Sequence, residues 1–369
     1  MTKLFNPLQV GRMQLSNRIA MAPMTRFRVD DEHNPLPFVK EYYAQRASVP
    51  GTLLITEATI ISPQAGGYPN VPGIYTDSHI AAWKEVTDAV HAKGSYIYLQ
   101  LWALGRVADP TYLSKLGAHD VVSASDIPAS ADAQTPRSLS EEDIQSFIND
   151  YAQAARNAVA AGFDGVEIHA ANGYLIDQFN QDVSNKRTDK WGGSVENRSR
   201  FALEVTRAVV DAIGADRTGI RFSPYSTFQA MRMTDPIPQF THLAQETAKF
   251  KLAFAHIVEP RIAGNADVEE MHEDLDFFMK AYGNATPVII AGGYKAESAK
   301  EAIDGKYKDY DALIGFGRPF ISNPDLPFRV KENVPLVPYN RDTFYIPKDP
   351  KGYIDWDFSP EFKATQVAA

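Results

Sequence analysis

At 369 residues, 44% hydrophobic and 22% charged, the chain has ordinary globular composition and the length of one large barrel or two average domains. With 37 Lys and Arg against 46 Asp and Glu it carries a net charge of −9 and no basic stripe, which argues against a nucleic-acid surface. It contains no cysteine, which removes disulfides, thiolate metal sites, iron–sulfur clusters and cysteine nucleophiles and fits a reducing compartment.

The opening Met1-Thr-Lys-Leu-Phe-Asn-Pro lacks the apolar core of a signal peptide, and no apolar run is long enough to span a bilayer. The last residues, Gln-Val-Ala-Ala, carry no targeting signal. The expectation is a cytoplasmic protein, monomer or homodimer, with neither a membrane nor a nucleic-acid partner.

In chain order, Leu4 to Arg18 reads first, as a short hairpin turning at Val10-Gly-Arg12. Strand-length apolar runs then alternate with helix-length amphipathic runs, the pattern of parallel α/β architecture. The strands end near Ala22, Ile55, Leu101, His169, Phe222, Val258, Ala291 and Gly315. The helices begin near Pro37, Ser78, Ser140, Val195, Gln239, Asp267, Ala296 and Pro324. The helix before the fourth strand has the clearest start: Ser140 as N-cap, Glu141, Glu142 and Asp143 at the positive end of the dipole, apolar residues at helical spacing, and Gly162 past its end. Eight such units predict a closed (β/α)₈ barrel, with the hairpin plugging its bottom. Asp109 to Arg137, rich in Ser, Ala and Asp, follows the third strand and predicts a long loop over the top face. The tail after Val334 is expected to pack along the barrel, so that residues 1–369 form one domain.

In such a barrel the reacting groups sit at the C-terminal ends of strands. The fourth strand ends His169-Ala-Ala-Asn172-Gly-Tyr174. His169 and Asn172 could polarise one carbonyl oxygen, and Tyr174, a phenol of ordinary pKa about 10, could deliver a proton. The same residues also read as a satisfied histidine followed by an Asn-Gly turn. On the third strand Gln100 and Trp102 alternate against Ile97, Leu99 and Leu101, so both point into the barrel if the aliphatics face the helices; barrel packing is the competing reading. Arg221 on the fifth strand needs a counter-charge, either Glu167 or an anionic ligand. Ala291-Gly-Gly293 and Gly315-Phe-Gly317-Arg318 end the seventh and eighth strands, where barrels often bind phosphate through backbone N–H groups and an arginine. No strand is followed by G-x-G-x-x-G, so a Rossmann dinucleotide site is not expected.

These residues resemble the old yellow enzyme family nearly end to end. The resemblance is carried by Asn17-Arg-Ile-Ala-Met-Ala-Pro-Met-Thr25-Arg, Thr56-Glu-Ala58-Thr, Gln100-Leu-Trp102, Gly162-Phe-Asp-Gly-Val-Glu-Ile-His169-Ala-Ala-Asn172-Gly-Tyr174 and Asp189-Lys-Trp-Gly-Gly-Ser-Val-Glu-Asn-Arg198, with the two glycine clusters. It implies a tightly bound, non-covalent FMN at the barrel's top. Thr25 would contact the flavin O4, Pro23, Met24 and Ala58 line the ring, and Gln100 meet its pyrimidine edge. Arg221 would lie by N1 and O2, and Gly293, Gly317 and Arg318 hold the phosphate. His169 and Asn172 would grip a carbonyl oxygen and Tyr174 protonate the α-carbon, in a pocket shaped by Tyr68, Trp102 and Tyr345. The implied reaction has two halves: NADPH or NADH reduces the flavin, and the flavin then reduces the carbon–carbon double bond of an α,β-unsaturated aldehyde or ketone.

The wording of the sequence resembles filamentous-fungal members, some of which reduce or isomerise an unsaturated aldehyde in ergot-alkaloid synthesis. There a Phe in place of the proton-donor Tyr accompanies isomerisation, so Tyr174 implies net reduction. Two other enzyme classes stand as alternatives. A flavin-free phosphate-binding aldolase or isomerase would want a lysine at a strand end, and a metal hydrolase would want converging histidines; neither pattern is evident. A flavin-storage role would not need His169, Asn172 and Tyr174 together. Substrate choice is expected to rest on the loops Asp109 to Arg137 and Asn265 to Asp274.

Overall fold

The computed structural model describes residues 2–117, 119–268 and 272–367. Eight parallel strands close into a barrel in sequence order: β1 (Ile19–Met21), β2 (Leu53–Ile60), β3 (Tyr96–Trp102), β4 (Gly165–His169), β5 (Thr218–Phe222), β6 (Phe254–Val258), β7 (Val288–Ala291) and β8 (Ala312–Phe316), which returns to pair with β1. The strands are buried on both faces, hence their near-continuous apolar runs. Ile97, Leu99 and Leu101 join the large cluster under the helices, as the alternation on β3 predicts, while Tyr98 points into the barrel.

Eight helices surround the strands: α1 (Val39–Arg46), α2 (Asp77–His91), α3 (Glu141–Ala160), α4 (Val195–Ile213), α5 (Ile237–Lys249), α6 (Asp276–Tyr282), α7 (Ala296–Glu301) and α8 (Leu326–Glu332). Ser140 caps α3 in a capping box with Asp143, and Gly162 beyond its end has φ +89°. No described helix is long and apolar enough to cross a membrane.

The barrel has one closed end. Leu8–Val10 and Met13–Leu15 pair antiparallel, and their buried residues pack against Leu53, Tyr98, Phe254, Ile289 and Leu313 inside the barrel. This apolar plug leaves the end carrying the strands' C-termini for a ligand.

Three boundaries differ from the sequence reading. β2 runs to Ile60 rather than stopping near Ile55, because a register shift between Ile55 and Ala58 carries it past the polar pair Thr56-Glu57. No helix begins at Asp267. Ile262–Ala263 and Ala266–Asp267 form a hairpin turning at Gly264, whose φ is +60°, and α6 starts at Asp276. Within Asp109 to Arg137, the short helix Pro110–Leu113 and the pairing of Val122–Ser123 with Arg137–Ser138 break up the expected loop; Ala118 lies outside the described residues.

The tail lies against the barrel and is held through its backbone. Arg26 donates to the carbonyls of Phe344 (3.0 Å) and Gly352 (2.8 Å), Arg28 to Thr343 (2.9 Å) and Lys351 (3.0 Å), and Arg46 to Tyr353 (3.2 Å). All three guanidinium groups are buried, where peptide carbonyls replace the water they give up.

Candidate active site

The end of β4 turns through two left-handed residues. Asn172 has φ +56° and Gly173 φ +77°, an arrangement that needs support because L-residues avoid it. Ser223 Oγ, just past β5, accepts from the Asn172 N–H at 2.7 Å. The Gly173 N–H donates to Asp177 at 2.9 Å, and its carbonyl accepts from Gln178 at 2.8 Å. Gln181 donates to the other Asp177 oxygen at 2.9 Å. Burial raises the Asp177 carboxyl to about 7 despite these donors. The polar side of the helix Leu175–Asn180 thus holds the turn that presents Asn172 and Tyr174.

His169 is buried, and its Nδ1 has no partner among the described residues. Burial, then Arg221 and His256, pull it well below the ordinary imidazole value, so the ring is neutral at physiological pH. The Tyr174 ring meets His169 edge-on at 4.9 Å and Trp102 at 4.9 Å. Burial, with Tyr68 next, raises its phenol, which therefore keeps its proton at physiological pH. A neutral donor beside a neutral imidazole can polarise a carbonyl and protonate a carbon without burying a charge in the ground state.

His169, Asn172 and Tyr174 line one cavity of about 870 Å³ at the C-terminal end of the barrel. Pro23, Met24 and Thr25 after β1 line it too, with Ala58 from β2, Gln100 from β3 and Arg221 from β5. Gly293 and Gly317–Arg318 extend it past β7 and β8, and Tyr68 and Tyr345 line it too. Close backbone is required here: a Cβ on Gly292 would lie 2.4 Å from the Glu259 Cβ, and Gly293 has φ +63°. Residues from the ends of seven strands, joined by Tyr68 and Tyr345, therefore converge on one space.

Trp102 is the exception among the expected pocket residues. It stands behind the wall, buried, with its ring edge-on to Tyr68 (5.7 Å) and Tyr174, so it shapes the pocket through those two rings rather than by facing a ligand. No described residue of the Asp109 to Arg137 segment reaches the cavity; Leu113 and Val121 pack with Trp102 instead. The second expected loop contributes Asn265 and Asp267, and residues 269–271 lie outside the described set.

Other features were not read from sequence. Asp267 accepts both terminal nitrogens of Arg318, at 2.7 and 2.9 Å, beside Gly293. Asn265 donates to the Tyr345 hydroxyl at 2.9 Å, closing one side of the mouth. Phe228 faces the cavity, and Lys295 lines it shortly after β7. His256 on β6 binds Glu167 at 2.7 Å; a lone polar residue within Phe254-Ala-His256-Ile-Val258 was the available signal.

The polar atoms fit a flavin. Arg221 is in ion-pair contact with no acid among the described residues, because Glu167 is taken by Gln100 (2.7 Å) and His256. Its buried Nε has no partner. Glu167 therefore acts on Arg221 only at a distance, and the direct contact on the guanidinium is left for an anionic ligand. The carbonyl oxygen of Gln100 also has no hydrogen-bond partner among the described residues, while its amide nitrogen is used. A planar ring with a polar, partly anionic edge and a phosphate tail would meet Gln100, Arg221 and the Gly293/Gly317 backbone in turn.

Comparison with known proteins agrees. The model of the NADH:flavin oxidoreductase / NADH oxidase family matches residues 3–336. A chanoclavine-I aldehyde reductase of Penicillium roqueforti is 71% identical over 370 residues, covering 100% of both chains. An NADP-dependent oxidoreductase of Aspergillus flavus is 55% identical, covering 98% of this chain and 97% of that one. The crystal structure of Old Yellow Enzyme from Pichia sp. AKU4542 superposes with a TM-score of 0.90 at 40% identity, over 97% of this chain and 94% of that one. The flavin-free aldolase or isomerase alternative falls with these findings. The chain belongs to the NADH:flavin oxidoreductase / NADH oxidase family and is an old yellow enzyme homologue, an oxidoreductase that uses FMN with NADPH or NADH.

Proposed function

We propose that the enzyme reduces the carbon–carbon double bond of α,β-unsaturated aldehydes and ketones, with an unsaturated aldehyde of the chanoclavine-I aldehyde kind as the candidate substrate. The observation that carries this reading is the meeting of His169, Asn172 and Tyr174 in the cavity that Gln100, Arg221, Gly293 and Gly317, the residues expected to meet FMN, also line. The similarity to the Penicillium roqueforti aldehyde reductase supports the substrate class.

FMN, when bound, would supply the redox chemistry, relaying one hydride (two electrons with one proton) from NAD(P)H to the substrate. His169 and Asn172 hold the substrate's carbonyl oxygen and stabilise the negative charge that develops there as the β-carbon is reduced. Tyr174 gives its proton to the α-carbon and recovers one from solvent, so the double bond gains two hydrogens and NAD(P)H becomes NAD(P)⁺. Tyr68 and Tyr345 close the pocket's sides, and exclusion of water strengthens the hydrogen bonds to the carbonyl oxygen. Arg221 offsets negative charge at the inner end of the cavity.

Stopped-flow measurement of the two half-reactions tests the assignment. Tyr174→Phe is expected to leave reduction by NADPH unchanged and to slow reoxidation by an enone roughly 10²- to 10⁴-fold, the range for losing a general acid. Equal loss in both halves would remove Tyr174 from the proton-donor role.

A further inference from the structure

A polar layer lies between the apolar plug and the cavity, and the reaction above leaves its central residue without a task. Glu167 on β4 is fully buried. Gln100 Nε2 donates to its Oε1 at 2.7 Å, and His256 Nδ1 lies 2.7 Å from its Oε2. The barrel register sets the group: Gln100 pairs with Glu167, and His256 with Arg221. If the layer only had to fill the barrel, apolar side chains would do so at no greater cost, as they do one layer below.

A carboxylate has acceptors only. Gln100 must therefore turn its NH₂ toward Glu167, and the end left for the cavity is its carbonyl oxygen. His256 meets the other carboxylate oxygen through its Nδ1–H. Burial depresses His256 below the ordinary imidazole value, with Glu167 opposing and Arg221 adding to the effect, so the ring is neutral. The Glu167–His256 pair then carries one negative charge close to Arg221.

We propose that Glu167, backed by His256, is a positioning residue for the FMN site: it locks Gln100 with its carbonyl oxygen toward the flavin's pyrimidine edge and supplies the charge that moderates Arg221. The proposal rests on the reading that the pyrimidine edge meets Gln100 and Arg221. With Glu167 in place, an N–H on the flavin edge finds an acceptor, and the arginine's pull on the reduced, anionic cofactor is partly offset. Without that charge, Arg221 favours the reduced form more strongly.

Two measurements test this. In FMN-loaded Glu167→Gln, the reduction equilibrium is expected to move toward the reduced form by about tenfold, a rise of about 30 mV for a two-electron couple. A potential within about twofold of wild type in that equilibrium, in a variant that holds FMN and melts normally, would reduce Glu167 to a packing residue and overturn the proposal. The second measurement is flavin-fluorescence titration of the apoprotein with FMN and with 3-methyl-FMN, which lacks the ring N–H. Wild type is expected to prefer FMN by about tenfold or more, roughly the 1.4 kcal/mol of one hydrogen bond. Glu167→Gln, whose Gln100 is free to rotate, should lose most of that preference. Equal affinity of wild type for the two flavins would overturn the locked orientation even if the variant did not fold. Binding of neither would instead refute the FMN reading beneath it.

Discussion

Tyr174 and His169 owe their protonation states to burial, and that makes them separable by experiment. His169→Ala should abolish the long-wavelength absorbance that phenols give when they stack on the flavin, while leaving Tyr174 protonated; an undiminished band would remove His169 from the ligand site. Asp177 acts one step away, through the Gly173 N–H, and predicts a pH effect. An acid whose folded value is raised stabilises the fold fully below its unfolded value of about 4 and loses that contribution as pH rises toward about 7. The melting temperature of wild type should therefore fall, relative to Asp177→Asn, between pH 4 and 8; parallel curves would contradict the buried, raised carboxyl. His169, Asn172 and Tyr174 were legible because one strand end carries all three. The place of Trp102 behind the wall is not visible in the sequence, because strand alternation gives a direction but not a depth, and two tyrosine rings stand in front of it. His256 went unread because its partner, Glu167, sits two strands away across the barrel.

At the scale of elements, the periodicity and the caps located the strands and most helices, and failures occurred where local chemistry imitated another element. Thr56-Glu57 looked like a strand end, yet Gln100 N–H donates to Thr56 Oγ1 (3.1 Å), and the Tyr43 hydroxyl accepts from the Glu57 N–H (3.1 Å), which keeps the bulged strand paired. The acidic run from Asp267 resembled a helix start, but Gly264 turns the chain back into a hairpin that packs on Phe228: a Cβ at Gly264 would lie 2.5 Å from that ring. The N-terminal hairpin has a sharper consequence. Leu15 is fully buried in the plug, so Leu15→Ala should cost about 2–5 kcal/mol in chemical denaturation while activity per folded molecule holds. A cost below about 1 kcal/mol would mean the plug contributes little to closing the barrel.

Across the whole molecule, alternation of strand and helix was enough to foresee the closed barrel and the end that carries the chemistry. The packing of the tail along the barrel was expected, but its contacts were not readable, because it is held by carbonyls, which every residue possesses. Arg46 illustrates the hold: it donates to Tyr42 (3.0 Å), Phe320 (3.0 Å) and Tyr353 (3.2 Å) carbonyls, and burial lowers it to about 10. Its guanidinium lies 3.7 Å over the Tyr42 ring, which stacks on Tyr353 at 3.9 Å. Arg46→Met would strand those carbonyls and should cost about 3–5 kcal/mol, with early proteolysis between residues 343 and 353. Tail and barrel are expected to unfold in one transition; a separate low-temperature step in the wild-type melt would contradict this.

The central claim is that one cavity takes electrons from NAD(P)H and delivers them to an activated double bond. Its most direct test is the visible spectrum of the purified protein under anaerobic conditions, first with NADPH and then with cyclohexenone or an unsaturated aldehyde. The account predicts a yellow flavin band that NADPH bleaches and the acceptor restores, with the saturated carbonyl compound as product. A band that NADPH bleaches and neither acceptor restores would contradict it.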